Sequence, residues 1–169
     1  LRRLSVTDKD LVAKLAEFRP THLTAYASIL HEIAREVEAG NLTLAPDLEQ
    51  VVNVSERLTL NARERYEQLF GAPILDDYGM GECLFLTNGC PKSPGMHVNA
   101  DWAVFEVVDE NNQPVPAGEK GAKVLITNLS NRVQPFIRYE VGDMVVMATE
   151  PCGCGSNMPL IDRIEGRTA

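Results

Sequence analysis

The sequence predicts an α/β fold: part of a parallel α/β sheet layer over residues 1–82, followed by an antiparallel, β-barrel-like subdomain over 83–165. Three observations carry this. Apolar residues recur at helical spacing in the first half, where short continuous apolar runs separate the helical stretches. That periodicity ends at Glu82. Beyond it, strand-like runs alternate with turn clusters such as Glu110-Asn-Asn-Gln-Pro114 and Pro116-Ala-Gly118.

Taken in order, Thr7 reads as a helix cap, with Asp10 in the first turn and Leu11, Leu15 and Phe18 as the apolar stripe; Pro20 stops it. HLTAYASIL leads into a second helix, from about Ala27 through Val37 to the terminator Gly40, burying Ile29, Ile33 and Val37. Leu48–Val54 reads as a buried parallel strand. Thr59 caps a third helix, Asn61–Leu69, which Gly71 ends, and Ile74–Tyr78 is the next strand. The order αα-β-α-β is that of a parallel sheet with crossover helices. In the second half Met96–Asn99, Trp102–Asp109, Lys123–Leu129 and Met144–Ala148 read as strands of a small barrel or a sandwich. Trp102 and Phe105 fall on opposite faces of one of them and read as packing. The seam lies near residues 82–95.

Composition excludes several classes of function. A chain of 169 residues suits one domain or a large piece of a bigger one. The net charge of −8 argues against a nucleic-acid or anionic-membrane surface, which needs clustered Lys and Arg. No apolar run approaches the roughly 20 residues that span a bilayer. Four cysteines do not make a disulfide scaffold at this size, so the sequence reads as cytoplasmic. The start, LRRLSVTD, lacks Met and a signal-peptide pattern, and EGRTA stops abruptly; the chain reads as an excised piece.

The chemistry concentrates in LDDYGMGE, residues 75–82. A strand feeding a tight glycine turn aims backbone N–H groups and one carboxylate, Glu82, at a common point, which suits a phosphate with its metal ion. Ligands of parallel sheets bind outside the carboxyl ends of strands. Two such ends carry polar residues: Ser55-Glu56-Arg57, and Asp76 to Glu82 with Asp77, Tyr78, Gly79 and Gly81. Asp143, after Gly142, can accept two hydrogen bonds from a vicinal diol such as a ribose. Glu82 can ligate a hard cation such as Mg²⁺. Each has a plainer reading: a turn residue for Asp143, core packing for Tyr78, a solvated acid for Glu82, a helix approach for Ser55-Glu56-Arg57. Arg138 either faces the crevice or pairs with Glu140.

Cys90, His97, Cys152 and Cys154 form a second constellation. Cys152-Gly-Cys154-Gly is a tight knuckle, and three thiolates with one imidazole make a closed structural zinc site. Cys83 is the spare. The alternatives are buried reduced thiols, or a Cys–Cys pair formed on handling.

Five segments occur in a telling order: SERLT, FGAPILDDYGMGE, PVPAGEKGAKVLITNL, QPFIRYEVGD and PCGCGSNMPLIDRIEGR. From about Arg19 onward the chain resembles the adenylate-forming acyl-activating superfamily, in its phenylacetate–coenzyme A ligase-like branch. That resemblance implies an acid–thiol ligase forming AMP: a small-molecule carboxylic acid is joined to the α-phosphate of ATP, and the acyl adenylate is then attacked by the thiol of coenzyme A. It implies that Glu82 is the catalytic acid holding Mg²⁺ and that Asp77, Tyr78, Gly79 and Gly81 line the nucleotide pocket. Ser55, Glu56 and Arg57 would approach adenine, Asp143 would grip the ribose, and Arg167 would stand at a hinge beginning at 166–169. A homodimer is compatible with it. An adenylating ligase with a non-CoA acceptor, or a non-catalytic zinc-stabilised module, are the other readings. One departure is Gly81, where the family usually carries Ser or Thr. The family's phosphate loop and its lysine-bearing lid are not among these residues, which implies the rear half of a large domain, inactive alone.

Overall fold

A computed structural model describes residues 10–168. The chain divides into two compact units, one up to Leu75 and one from Asp76 on. The sequence expectation put the seam after Glu82.

The first unit runs α1 (Leu11–Phe18), β1 (His22–Ala25), α2 (Ala27–Glu38), β2 (Gln50–Val54), α3 (Leu60–Phe70) and β3 (Ile74–Asp77), which crosses the division. The strands form one parallel sheet in the order β1-β2-β3, with His22 opposite Gln50 and Ala25 opposite Asn53. β1 is an element the periodicity did not disclose; the expected order lacked it. The expected cap Thr7 lies outside the described residues. Thr59 does cap α3, its hydroxyl accepting from the Ala62 N–H at 3.3 Å, and Gly71 ends that helix in the left-handed conformation, φ 69°. Leu15, Leu30, Ile33, Val51, Tyr66, Phe70 and Ile74 build this unit's core. The expected buried face of α2 is shifted: Leu30, Ile33 and Ala34 are buried, while Ile29 and Val37 pack only partly. Arg63, almost fully buried, donates to the Ile74 carbonyl, and Glu67 accepts from the Ile74 N–H at 2.9 Å; β3 is thus tied to α3 by satisfied polar groups.

The second unit contains no helix among the described residues. It comprises β4 (Thr87–Cys90), β5 (Ser93–Val98), β6 (Ala103–Val108), β7 (Lys123–Asn128), β8 (Tyr139–Val141), β9 (Asp143–Met147) and β10 (Leu160–Arg167). Two antiparallel sheets result, β4-β5-β10-β9 and β6-β7-β8. Met96, Val98, Val145 and Ile161 of the first share one core with Ala103, Val124, Ile126 and Val141 of the second. The ladders do not close into a barrel, so the sandwich alternative describes this unit. β4, β8 and β10 were not expected. Trp102 precedes β6 and packs edge-on against Phe85, so it does not share a strand with Phe105. Glu140 pairs with Lys123 at 2.8 Å, and Arg138 pairs with Glu106 at 3.2 Å, which corrects the Arg138–Glu140 expectation.

Candidate functional site

In the second unit the glycine turn is tight. Met80 and Cys83 exchange two backbone hydrogen bonds, 3.2 and 3.0 Å, leaving Gly81 and Glu82 at the corners. Gly79 is required by a close approach: a Cβ there would lie 2.7 Å from the Leu84 carbonyl oxygen. At Gly81 the space is open, so its lack of a side chain is not a packing demand.

Two residues that sequence reasoning did not single out fix Glu82. Asn128, buried at the end of β7, donates from Nδ2 to the Glu82 carbonyl at 2.9 Å. Tyr139, on β8, donates its phenol to Glu82 Oε1 at 2.9 Å. Tyr78 donates to Asp143 Oδ2 at 2.6 Å, and Arg167 Nε stands 3.9 Å from Asp143 Oδ1. Burial, then the Asp143 hydrogen bond and charge, push the Tyr78 phenol well above its ordinary value. The Glu82 hydrogen bond, then its charge, raises Tyr139. The charge of Arg167 opposes both rises, so one guanidinium acts on the Glu82–Tyr139 and Tyr78–Asp143 pairs alike. Asp77 accepts the Gly89 N–H at 2.7 Å; burial raises its pKa and that hydrogen bond lowers it in part.

Ser55, Glu56 and Arg57 are exposed in the first unit. Ser55 has a left-handed backbone, φ 64°, and the Glu56 carboxylate accepts from Ser28 N at 2.7 Å and Ser28 Oγ at 3.1 Å. That places a negative charge on the first turn of α2, where the helix dipole favours it.

The cysteine constellation assembles. One donor atom each from Cys90, His97, Cys152 and Cys154 lie within 4.8 Å of one another. Cys90 closes β4, His97 lies on β5, and the two other cysteines occupy the loop between β9 and β10. Cys90 Sγ and Cys152 Sγ are 3.4 Å apart, and Cys154 Sγ and His97 Nε2 are 3.3 Å apart. Ligands about 2.1–2.3 Å from a tetrahedral zinc would be separated by about 3.5–3.8 Å, so the two close pairs already have that spacing and the widest pair would draw in by up to about 1 Å. His97 Nδ1 lies 3.2 Å from the Met158 carbonyl, which can only accept. The proton therefore sits on Nδ1 and the Nε2 lone pair is bare, the form a metal binds. Backbone N–H groups of Lys92 and Ser156 donate to Cys90 and Cys154 sulfur at 3.4 Å each. The Ser156 N–H is the largest cause that brings the exposed Cys154 thiol down to about 7, toward the thiolate a metal requires. Cys83, the spare, is buried, and burial pushes its thiol up.

Comparison with known proteins sets this geometry in a family. The AMP-binding enzyme family matches residues 2–127, well over half of the chain. A phenylacetate-coenzyme A ligase of Thermus thermophilus is 28% identical over 162 residues, which are 93% of this chain and 36% of that protein. Protein CapK of Staphylococcus aureus is 27% identical, over 94% of this chain and 34% of its own. Among solved structures, an open conformation of 2-hydroxyisobutyryl-CoA ligase, in complex with 2-HIB-AMP and CoA, superposes with a TM-score of 0.82 at 26% identity, over 93% of this chain and 36% of that one. A benzoate CoA ligase from Burkholderia xenovorans shares the fold at a TM-score of 0.63 and 23% identity. The chain thus spans about a third of the length of the relatives it matches. The match over residues 2–127 shows that the chain belongs to the AMP-binding enzyme family.

Proposed function

We propose that this chain is the nucleotide-gripping part of an ATP-dependent acyl–coenzyme A ligase. The observation that carries the reading is the convergence of Glu82, Tyr139, Tyr78, Asp143 and Arg167 in one unit of an AMP-binding enzyme. In the reaction, a carboxylate oxygen of the acid attacks the α-phosphorus of ATP and pyrophosphate leaves. The CoA thiol then displaces AMP from the acyl adenylate. Positioning and charge neutralisation are the tasks left to the protein.

Asp143 keeps lone pairs beyond the one that Tyr78 occupies, enough to accept from ribose hydroxyls. Arg167 supplies a cation beside it for ribose or phosphate oxygens. Asp77, Tyr78, Gly79 and Gly81 line the nucleotide in this reading. Glu82 fits a magnesium ligand: it is partly exposed at a turn corner, and its Oε2 takes no partner among the described residues. Mg²⁺ usually binds through one or two carboxylates together with substrate phosphates, and when bound it would neutralise phosphate charge. The Cys90, His97, Cys152 and Cys154 quartet fits a structural Zn²⁺, which would tie the β4–β5 hairpin to the loop entering β10. Such a bond outweighs the surface ion pairs nearby, such as Arg163–Asp162, each worth about 0–1 kcal/mol.

The test is pyrophosphate release from Mg-ATP by the intact protein, with phenylacetate, benzoate and aliphatic acids offered in turn and CoA thioester followed by mass spectrometry. Release that depends on an acid, and thioester that depends on CoA, is expected. Release indifferent to every acid contradicts the ligase reading. Acid-dependent release without thioester points to a non-CoA acceptor.

A further inference from the structure

We infer that Tyr139 is a positioning residue for the metal-binding carboxylate of Glu82, acting with Asn128; this rests on the reading of Glu82 as the magnesium ligand. A glutamate at a two-residue turn has three rotatable side-chain bonds, and ordering them opposes any ligand that needs one rotamer. Two neighbouring strands order this residue, β7 at its backbone and β8 at its side chain. Asn128 of β7 holds the backbone carbonyl of Glu82 at 2.9 Å. Its orientation is set by three donors to its Oδ1: Ser130 N at 2.9 Å, Ser130 Oγ at 2.8 Å and Asn131 N at 3.0 Å. Tyr139 of β8, opposite Ile126 in the ladder, holds the carboxylate at Oε1. The Tyr139 ring is steadied in turn by Phe136, edge-on at 5.1 Å.

The division of the carboxylate is the informative detail. The phenol occupies one lone pair of Oε1, and Oε2 takes no partner among the described residues. One oxygen is therefore spent on orientation and the other is left for a cation. Hydrogen bonds of this kind to ligating carboxylates tune metal affinity without touching the metal.

Tyr139→Phe removes one oxygen atom and keeps the ring against Phe136. In the intact protein with a non-hydrolysable ATP analogue, Mn²⁺ affinity is measured by electron paramagnetic resonance for wild type, Tyr139→Phe and Glu82→Gln. The expectation is a loss of about tenfold for Tyr139→Phe and a larger one for Glu82→Gln. Affinity for the analogue without metal should stay within about twofold of wild type. The melting temperature should stay within about 2 °C, since the phenol is a partly solvated group. Wild-type Mn²⁺ affinity in Tyr139→Phe, with a loss in Glu82→Gln, overturns the role of Tyr139 and leaves the ligase reading standing. Wild-type affinity in Glu82→Gln overturns the magnesium assignment itself. A Tyr139→Phe defect in metal-free analogue binding would instead make the phenol a direct nucleotide contact and also overturns the inference.

Discussion

The phenol of Tyr78 donates to Asp143 Oδ2 at 2.6 Å, joining residues 65 positions apart, one just after β3 and one opening β9. The bond is partly buried and its acceptor is charged, which places it among the stronger protein hydrogen bonds. Tyr78→Phe should cost about 2 kcal/mol of stability in denaturant unfolding of the intact protein, because the carboxylate loses a partner it cannot fully replace. An unchanged midpoint and slope would show that water replaces the phenol freely.

Metal analysis of freshly purified, unchelated protein should give about one zinc per chain. Cys152→Ser should lower that content and depress the melting temperature by more than about 5 °C, because the loop into β10 loses its cross-link. Cys83→Ser should leave metal content unchanged, since Cys83 lies outside the quartet. Equal metal loss in both variants would contradict the assignment of ligands.

Asp77 has a folded-state pKa raised chiefly by burial. A carboxyl of this kind favours the fold while protonated in both states. Its contribution is lost as pH rises from the ordinary aspartate value through the raised folded value. Asp77→Asn keeps an acceptor for the Gly89 N–H and cannot ionise. The melting temperature of Asp77→Asn minus that of wild type should therefore grow across that window and level off above it. A difference that shrinks with rising pH would reverse the sign and refute the burial argument.

Gly79→Ala should distort the turn that presents Glu82, since the added methyl would meet the Leu84 carbonyl at 2.7 Å. A cost of about 1–3 kcal/mol is expected from a backbone clash of this kind, with weakened metal binding. Gly81→Ala, where the space is open, should cost well under half of that, and thermal melts of the two variants compare them directly.

Much of this was readable in the letters. α2 and α3 declare themselves by residues buried at helical spacing, and β2, β3 and the long strands of the second unit by short apolar runs. β1 does not: HLTA alternates, with His22 and Thr24 exposed and Leu23 and Ala25 partly buried, but four residues running straight into a helix are too few for the alternation to stand out. β8 has three residues, and β10, LIDRIEGR, is mostly polar and exposed; both are strands by virtue of the neighbours they pair with. The zinc-type quartet was legible because Cys152-Gly-Cys154 is a local motif and few other soft ligands compete. The link of Tyr139 and Asn128 to Glu82 was not, although both lie in segments that carry the resemblance, because they reach Glu82 from 57 and 46 positions away.

The proposed grip of Asp143 on the nucleotide is open to direct measurement. Calorimetric titration of the intact protein with a non-hydrolysable ATP analogue, comparing wild type with Asp143→Asn, tests it most directly. Asparagine can still accept from Tyr78 but offers one acceptor oxygen in place of two and carries no charge. A loss of affinity of at least about tenfold is expected, with the circular dichroism spectrum unchanged. Equal affinity in the two proteins would contradict it.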